Sequence, residues 1–310
     1  MTRYALGIDI GGTFTDIVVY DPARGAFSAH KELTTPHAPH EGVIAGINHL
    51  FKAQGIAHKH VTRVVHATTL FTNALIERKG APTGLITTAG FRDTLEMRRE
   101  HKYELYNLFM ELPKPLVERR LRLEVSERIA ADGKVLQPVV FEQLFEGVAK
   151  LKDSGVQSLA IALLHAYANH AHEVAARDAI CEKFPELFVS ISSEVAPQIR
   201  EYERTSTTVA NAYIKPLADS YLDLMAREIA KLGIKAPLFM MLSNGGLTHL
   251  EEAKRVPIQL LESGPAAGAL AGSTFGARSK ARDVLAFDMG GTTAKLAVVE
   301  NGEPLIAYQF

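Results

Sequence analysis

The sequence predicts an α/β fold built around a duplicated phosphate-binding β-hairpin, on two observations. Clusters of Val, Ile and Leu that read as strands alternate with longer helical stretches. The segment ALGIDIGGTFTDIVVYDPARGAFSA near the start is echoed by LAFDMGGTTAKLAVVENGEPLIA at the end. Asp9 aligns with Asp288, and Gly11, Gly12 and Thr13 align with Gly290, Gly291 and Thr292. Each copy reads strand, tight turn, strand, polar turn, strand.

Between the two copies, the pattern predicts strands over 63–66, 83–86, 158–163, 188–191 and 238–242, with 284–288 opening the second hairpin. Helices are expected over 39–54, 70–79, 142–152, 171–184, 195–212, 217–232 and 266–275, most of them bounded by Gly, Pro or Asn. From 91 to 138 charges crowd together with two close prolines and no clean period, which reads as an insertion on the core sheet. A solvated lobe and a substrate-facing lobe fit that composition equally well. Two domains are expected, 1–200 with the first hairpin and 201–310 with connecting helices and the second.

Composition narrows the function. At 310 residues, 47% hydrophobic and 22% charged, the chain is long enough for two ordinary cores. Lys plus Arg number 34 and Asp plus Glu 35, so there is no electrostatic footprint for nucleic acid or an anionic membrane. Apolar runs fall far short of the roughly 18 residues of a membrane span, and the N-terminus turns straight into a strand pattern rather than an export signal. A cytoplasmic protein is expected. The single Cys181 lies in a helical pattern and reads as a buried structural thiol. His165, His170 and His172 lie close in sequence, but without HExxH or a Cys/His set they read as exposed loop histidines rather than a metal cluster.

The hairpins carry the chemistry. A glycine pair in a tight turn lets the backbone approach a ligand, and successive N–H groups there form an anion-binding concavity. Thr13, Thr15, Thr292 and Thr293 supply hydroxyls for phosphate oxygens. An Asp just before such a turn repels phosphate unless a cation intervenes, and Mg²⁺ prefers carboxylate plus phosphate oxygens. One hairpin is weak evidence; two matched copies are what a nucleotide held between related lobes requires. Neither GxxxxGK[ST] nor GxGxxG is present.

These segments match the two phosphate signatures of the actin, hexokinase and heat-shock ATPase superfamily, with its ribonuclease H-like fold. GIDIGGTFTDIVVYD, HATTLFTNALIERKGAPTGLITTAGFRD, SNGG and ESGPAAGALAG followed by FDMGGTTAK together resemble the A-type subunit of the hydantoinase, 5-oxoprolinase and acetone or acetophenone carboxylase family. The resemblance runs along essentially the whole chain. It implies ATP and Mg²⁺ as cofactors, and phosphorylation of a carbonyl oxygen to an imidate or enol phosphate that is then hydrolysed or carboxylated. Opening of a cyclic amide of the hydantoin, 5-oxoproline or lactam type is the leading expectation. A ketone carboxylase subunit is the nearest alternative, and a non-catalytic nucleotide-dependent switch or assembly module is the reading from another class.

On the resemblance, Asp9 and Asp288 orient Mg²⁺, and Gly11, Gly12, Thr13, Thr15, Gly290, Gly291, Thr292 and Thr293 hold phosphates. Asp16 is a candidate base or metal partner, or else a residue making local backbone hydrogen bonds. Gly264, Ala267 and Gly268 are hinge or packing positions of a connecting helix. Ser243, Asn244 and Gly245 line the cleft or form a plain Asn-Gly turn. His66, Thr69 and Asn73, at a strand end and helix start, suit a substrate site at the carboxyl edge of a parallel sheet. For His66 a packed, hydrogen-bonded role is equally open, and Thr69 or Thr72 is open to a helix-capping role. Arg98, Arg99, His101 and Lys102 read as a solvated charge run or as a surface for an anionic substrate or partner. The family pattern continues beyond the second hairpin, so an incomplete second lobe and a B-type partner subunit are expected on the resemblance; a truncated sequence, a separately encoded C-terminal half and a remnant without activity are three explanations that the sequence leaves open.

Overall fold

The computed structural model describes residues 3–35, 37–101, 103–289 and 294–306. Two compact units divide the chain, residues 1–73 with 218–310, and residues 74–217. This division cuts across the expected boundary near 200, because the chain returns after residue 217 to pair with its own first sheet.

In the first unit, β1 (Tyr4–Ile10), β2 (Phe14–Asp21) and β3 (Ala26–Leu33) form an antiparallel meander. Helix α1 (Pro39–Gln54) follows, with proline pre-set in its first turn and Gly55 ending it at φ 63°, where a side chain would be strained. Val43, Ile47, Leu50 and Phe51 give α1 its buried stripe. Strand β4 (Val61–Thr68) then lies parallel to β1, and α2 (Leu70–Ile76) leads out of the unit.

The second unit holds a parallel sheet of β5 (Thr83–Thr88), β6 (Arg122–Val125), β9 (Ser158–Ala162) and β10 (Phe188–Ile191), in the order β10-β9-β5-β6. Between β5 and β6 runs the one-turn α3 (Thr94–Met97). A small hairpin of β7 (Arg128–Ile129) and β8 (Val135–Gln137) follows β6, then α4 (Phe141–Asp153). Helix α5 (Ala171–Lys183) joins β9 to β10, and the single turn α6 (Ser192–Val195) precedes α7 (Glu201–Lys231). Both faces of the sheet are covered, so β5 and β9 are buried along their whole length, as central strands of a parallel sheet should be, with Thr83, Thr87 and Thr88 of β5 among the buried polar residues.

The chain re-enters the first unit with β11 (Leu238–Met241) parallel to β4, β12 (Leu247–His249) antiparallel to β11, and the short α8 (Leu250–Arg255). The completed sheet runs β12-β11-β4-β1-β2-β3. Helix α9 (Ser263–Arg278) leads to a second meander of β13 (Val284–Met289), β14 (Ala294–Glu300) and β15 (Glu303–Pro304).

Four expectations are corrected. Segment 91–138 is not simply an insertion, since Arg122–Val125 is a strand of the second unit's sheet. The charge that disguised it is buried Arg122, ion-paired with Glu96 and hydrogen-bonded to the Val117 carbonyl at 2.7 Å. The helices expected over 195–212 and 217–232 are, from Glu201 onward, one helix, α7, which carries Pro216 inside it at the cost of one backbone hydrogen bond, while Val195 belongs to α6. Cys181 is exposed, because α5 buries His172, Glu173, Ala176 and Ile180 and leaves the next position outside. His172 is not an exposed loop histidine; its Nδ1 lies 2.6 Å from the Glu127 carboxylate, with both side chains buried.

Candidate functional site

The parallel strands β1, β4 and β11 end on one edge of the first sheet, and most candidate residues collect there. Asp9, next to last in β1, lies directly across from Asp16 of β2, which lies across from Lys31 of β3. These three side chains share one face of the sheet. Lys31 pairs with Asp16 at 2.6 Å, so Asp16 already has a cation. Among the described residues Asp9 has none at contact distance. Its Oδ1 is buried with no hydrogen-bond partner among those residues, and burial, helped by the charges of Asp16 and Asp288, pushes its carboxyl above the usual range.

Helix α9 begins beside Asp9. A side chain at Gly264 would start 3.7 Å from Oδ1 and 3.8 Å from Oδ2, so glycine there keeps the approach to the carboxylate open. Ser263 ties that helix start to β4, accepting from the Thr68 N–H at 3.3 Å and lying 3.4 Å from the Thr68 carbonyl. Just before the helix Glu262 sits in the left-handed region at φ 58°, a costly conformation for a side-chain-bearing residue. Its N–H donates to Thr72 Oγ1 at 3.3 Å and its carboxylate pairs with Lys295 at 2.9 Å. Lys295 of β14 opposes Asp288 of β13, and its charge acts to lower the Asp9 pKa. Sequence reasoning overlooked Lys295 and Glu262. The signal for Lys295 was its place in GGTTAK, where the antiparallel register sets it across from the aligned Asp.

The first turn is closed by the Gly11 N–H donating to the Phe14 carbonyl at 2.9 Å, and braced by Thr34 Oγ1 donating to the Gly11 carbonyl at 3.0 Å. Gly12 and Thr13 are exposed and open to a ligand. Thr15 is not: it is fully buried on the α1 side, with its hydroxyl 3.1 Å from that of Thr34. Its position on the inward face of β2 makes it a brace of the turn. Gly290, Gly291, Thr292 and Thr293, the matching tip, lie outside the described residues, as does Lys102. Asp288 is exposed and near enough to Asp9 to act on its charge.

His66 is corrected from substrate contact to core. It is fully buried, its Nδ1 3.3 Å from the Ile8 carbonyl and its Nε2 2.7 Å from the Tyr221 hydroxyl. A carbonyl only accepts, so Nδ1 carries the proton and Tyr221 donates to Nε2. Burial pushes the His66 pKa down to about 4 and that of Tyr221 upward. Thr69 donates its hydroxyl to the Ile10 carbonyl at 3.2 Å, locking the start of α2 to the end of β1; Asn73 is half-buried one turn further on. The Leu70 N–H is capped by Thr68 at 3.1 Å rather than by Thr69 or Thr72. Ser243, Asn244 and Gly245 form the β11–β12 turn: Gly245 takes φ 81°, and Asn244 Oδ1 accepts from the Gly246 N–H at 2.8 Å. Ser243 and Asn244 stand exposed at the same edge as Asp9. In the second unit, Arg99 pairs with Glu203 at 2.6 Å and Arg98 bonds the Pro113 carbonyl, so that charge run is partly spent internally.

Comparison with known proteins shows the family and the fold. Residues 5–184 match the hydantoinase/oxoprolinase N-terminal region and residues 204–310 match hydantoinase/oxoprolinase. The chain is 40% identical over 310 residues to uncharacterized protein MJ0964 of Methanocaldococcus jannaschii, covering 99% of this chain and 45% of that protein. It is 33% identical over 309 residues to caprolactamase subunit alpha of Pseudomonas jessenii, covering 97% and 44%. The crystal structure of that ATP-dependent caprolactamase is similar with a TM-score of 0.84. The nucleotide-free structure of an acetone carboxylase is similar with a TM-score of 0.88 at 26% identity, covering 98% of this chain and 45% of that one. The chain thus spans less than half the length of these relatives. The α/β architecture with parallel sheets is the one they share, and with two family regions matched in order along it the chain belongs to the hydantoinase/oxoprolinase family.

Proposed function

We propose that the chain is the nucleotide-binding part of an ATP-dependent enzyme subunit that opens a cyclic amide, of the hydantoin, 5-oxoproline or lactam type, after phosphorylation of its carbonyl oxygen. The observation that carries this reading is the buried Oδ1 of Asp9 at the foot of the glycine turn, which has no hydrogen-bond partner among the described residues. A partly buried carboxylate that feels the charges of Asp16 and Asp288 is costly unless a cation joins it. The oxygen donors fit Mg²⁺, which Asp9 and Asp288 would hold largely through water. Mg²⁺-ATP, when bound, supplies the transferable phosphoryl group and neutralises its charge.

The chain's own residues then position and polarise. The Gly12 amide and the Thr13 hydroxyl are proposed for one end of the phosphate chain, with the Gly11 N–H closing the turn that presents them, and Gly290, Gly291, Thr292 and Thr293 are proposed for the other. The start of α9 presents its positive end beside Asp9, which favours anionic oxygens there. Lys295, held by Glu262 at 2.9 Å, is placed to follow the charge of the transferring group. Ser243, Asn244, Thr69 and Asn73 lie at the same strand edge and are proposed to meet the amide substrate. A partner subunit and a cytoplasmic location belong to this reading; the caprolactamase relative is itself named a subunit.

The likeness to acetone carboxylase keeps ketone carboxylation as the second reading. Phosphate release from ATP, measured with the partner subunit present, separates them. Stimulation by a lactam or hydantoin that disappears in Asp9→Ala supports the amidase. Stimulation only by a ketone with bicarbonate supports the carboxylase. Nucleotide binding without turnover of either substrate supports the switch.

A further inference from the structure

Away from the nucleotide edge, His30 and Glu32 of β3 and His49 of α1 converge on one point. His30 Nε2 lies 3.2 Å and His49 Nδ1 3.0 Å from the same carboxylate oxygen, Glu32 Oε2, and the three ligand atoms lie within 4.8 Å of one another. Local structure explains the meeting. Residues 30 and 32 are two apart on a strand and share the face that α1 covers. Gly46 lets the helix come close: a side chain there would start 2.8 Å from Ile17 Cγ1 and 3.5 Å from Glu32 Cβ. His49 is one turn further along the same helix, and its ring meets that of His30 edge-on with centroids 5.3 Å apart.

We propose that His30, Glu32 and His49 form a binding site for a divalent transition metal of the zinc class, which fastens α1 to the edge strand β3. Two imidazoles and one carboxylate are the donor set that suits zinc, copper or nickel, whereas Mg²⁺ requires more oxygen than the site offers. With metal–ligand bonds near 2.0–2.1 Å, tetrahedral ligands stand about 3.3 Å apart, close to the two separations between the histidines and Oε2. A metal takes the place of the protons that the histidines now share with the carboxylate. His49 is mostly exposed and the other two are half-buried, leaving access for the ion and room for water as a fourth ligand. The site has a structural consequence. Glu32 lies across from Thr15, which braces the first phosphate turn through Thr34, so the clamp stiffens the turn from behind.

The test is a Co²⁺ titration of the metal-stripped full chain, followed by calorimetry with Zn²⁺. We expect one equivalent of Co²⁺ to give a visible absorption band that Zn²⁺ displaces and excess Mg²⁺ does not, with Zn²⁺ raising the melting temperature. His30→Ala with His49→Ala should abolish the band and weaken Zn²⁺ by at least about tenfold. If that variant does not fold, exposed His49→Asn alone makes the same test, and Glu32→Gln separates the anionic ligand from its hydrogen bonds. Absence of Zn²⁺ binding in the parent, or unchanged affinity and stoichiometry in the variants, overturns the site.

Discussion

Asp9 and His66 stand one strand apart and show opposite uses of burial. Because the Asp9 pKa in the folded chain lies above its ordinary 3.8, its contribution to stability is full below that value and is lost as pH rises through the raised pKa. Asp9→Asn should therefore melt at a higher temperature than the parent near pH 7 without Mg²⁺-ATP, with the difference shrinking toward pH 4, while losing substrate-stimulated phosphate release. Calorimetry across pH and a phosphate assay check both halves. His66 runs the other way. Its pKa falls from 6.5 to about 4, so its contribution is present above 6.5 and is lost on acidification through 4. At about 1.4 kcal/mol per unit the loss is about 3 kcal/mol. His66→Gln should flatten the stability profile in that window, measured by urea unfolding, and lower stability at neutral pH by about 1–3 kcal/mol through the broken bond to Tyr221.

At the scale of elements, glycines set how closely helices approach sheets. Gly46→Ala would place its methyl 2.8 Å from Ile17, pushing α1 off β2 and costing about 1–3 kcal/mol in urea unfolding. Gly272 plays the same part for α9, where a side chain would start 2.9 Å from Ala286 of β13. Of the small residues expected to pack α9, Gly264 proves to face Asp9 and Gly268 has open space, so the close approach falls to Gly272 and to Gly276, where a side chain would start 2.7 Å from Val284 Cγ2. Sequence alone could count the small residues in ESGPAAGALAG. It could not say which one faced the sheet, because that depends on the rotation of the helix.

At the scale of the molecule, β13 and β14 bury one face against α9, and among the described residues none covers the other. Leu285, Phe287, Met289, Leu296 and Val298 alternate with inward residues and stand exposed together on that open face. An apolar patch of this kind favours association. The chain alone should self-associate as concentration rises, and Phe287→Lys with Leu296→Glu should suppress it in sedimentation experiments. Among the described residues, no helix is long and apolar enough to cross a membrane.

The sequence by itself determined the α/β class, the duplicated hairpin, the family resemblance and Asp9 as a leading candidate. Each of these depends on residue type at short spacing: glycine where a turn needs it, alternation where a strand has one wet face. It also located α1 at its observed bounds, since Pro39 and Gly55 punctuate both ends. Only the tertiary structure decided which polar residues face a ligand and which face the core. Thr15 and His66 have the composition of site residues, yet strand alternation and the close cover of neighbouring elements bury both. The Glu262–Lys295 pair and the His30–Glu32–His49 cluster became visible only when helix packing joined residues distant in sequence, although Lys295 by itself had a signal in GGTTAK. Whether such groups meet is a property of the packed chain rather than of any local segment.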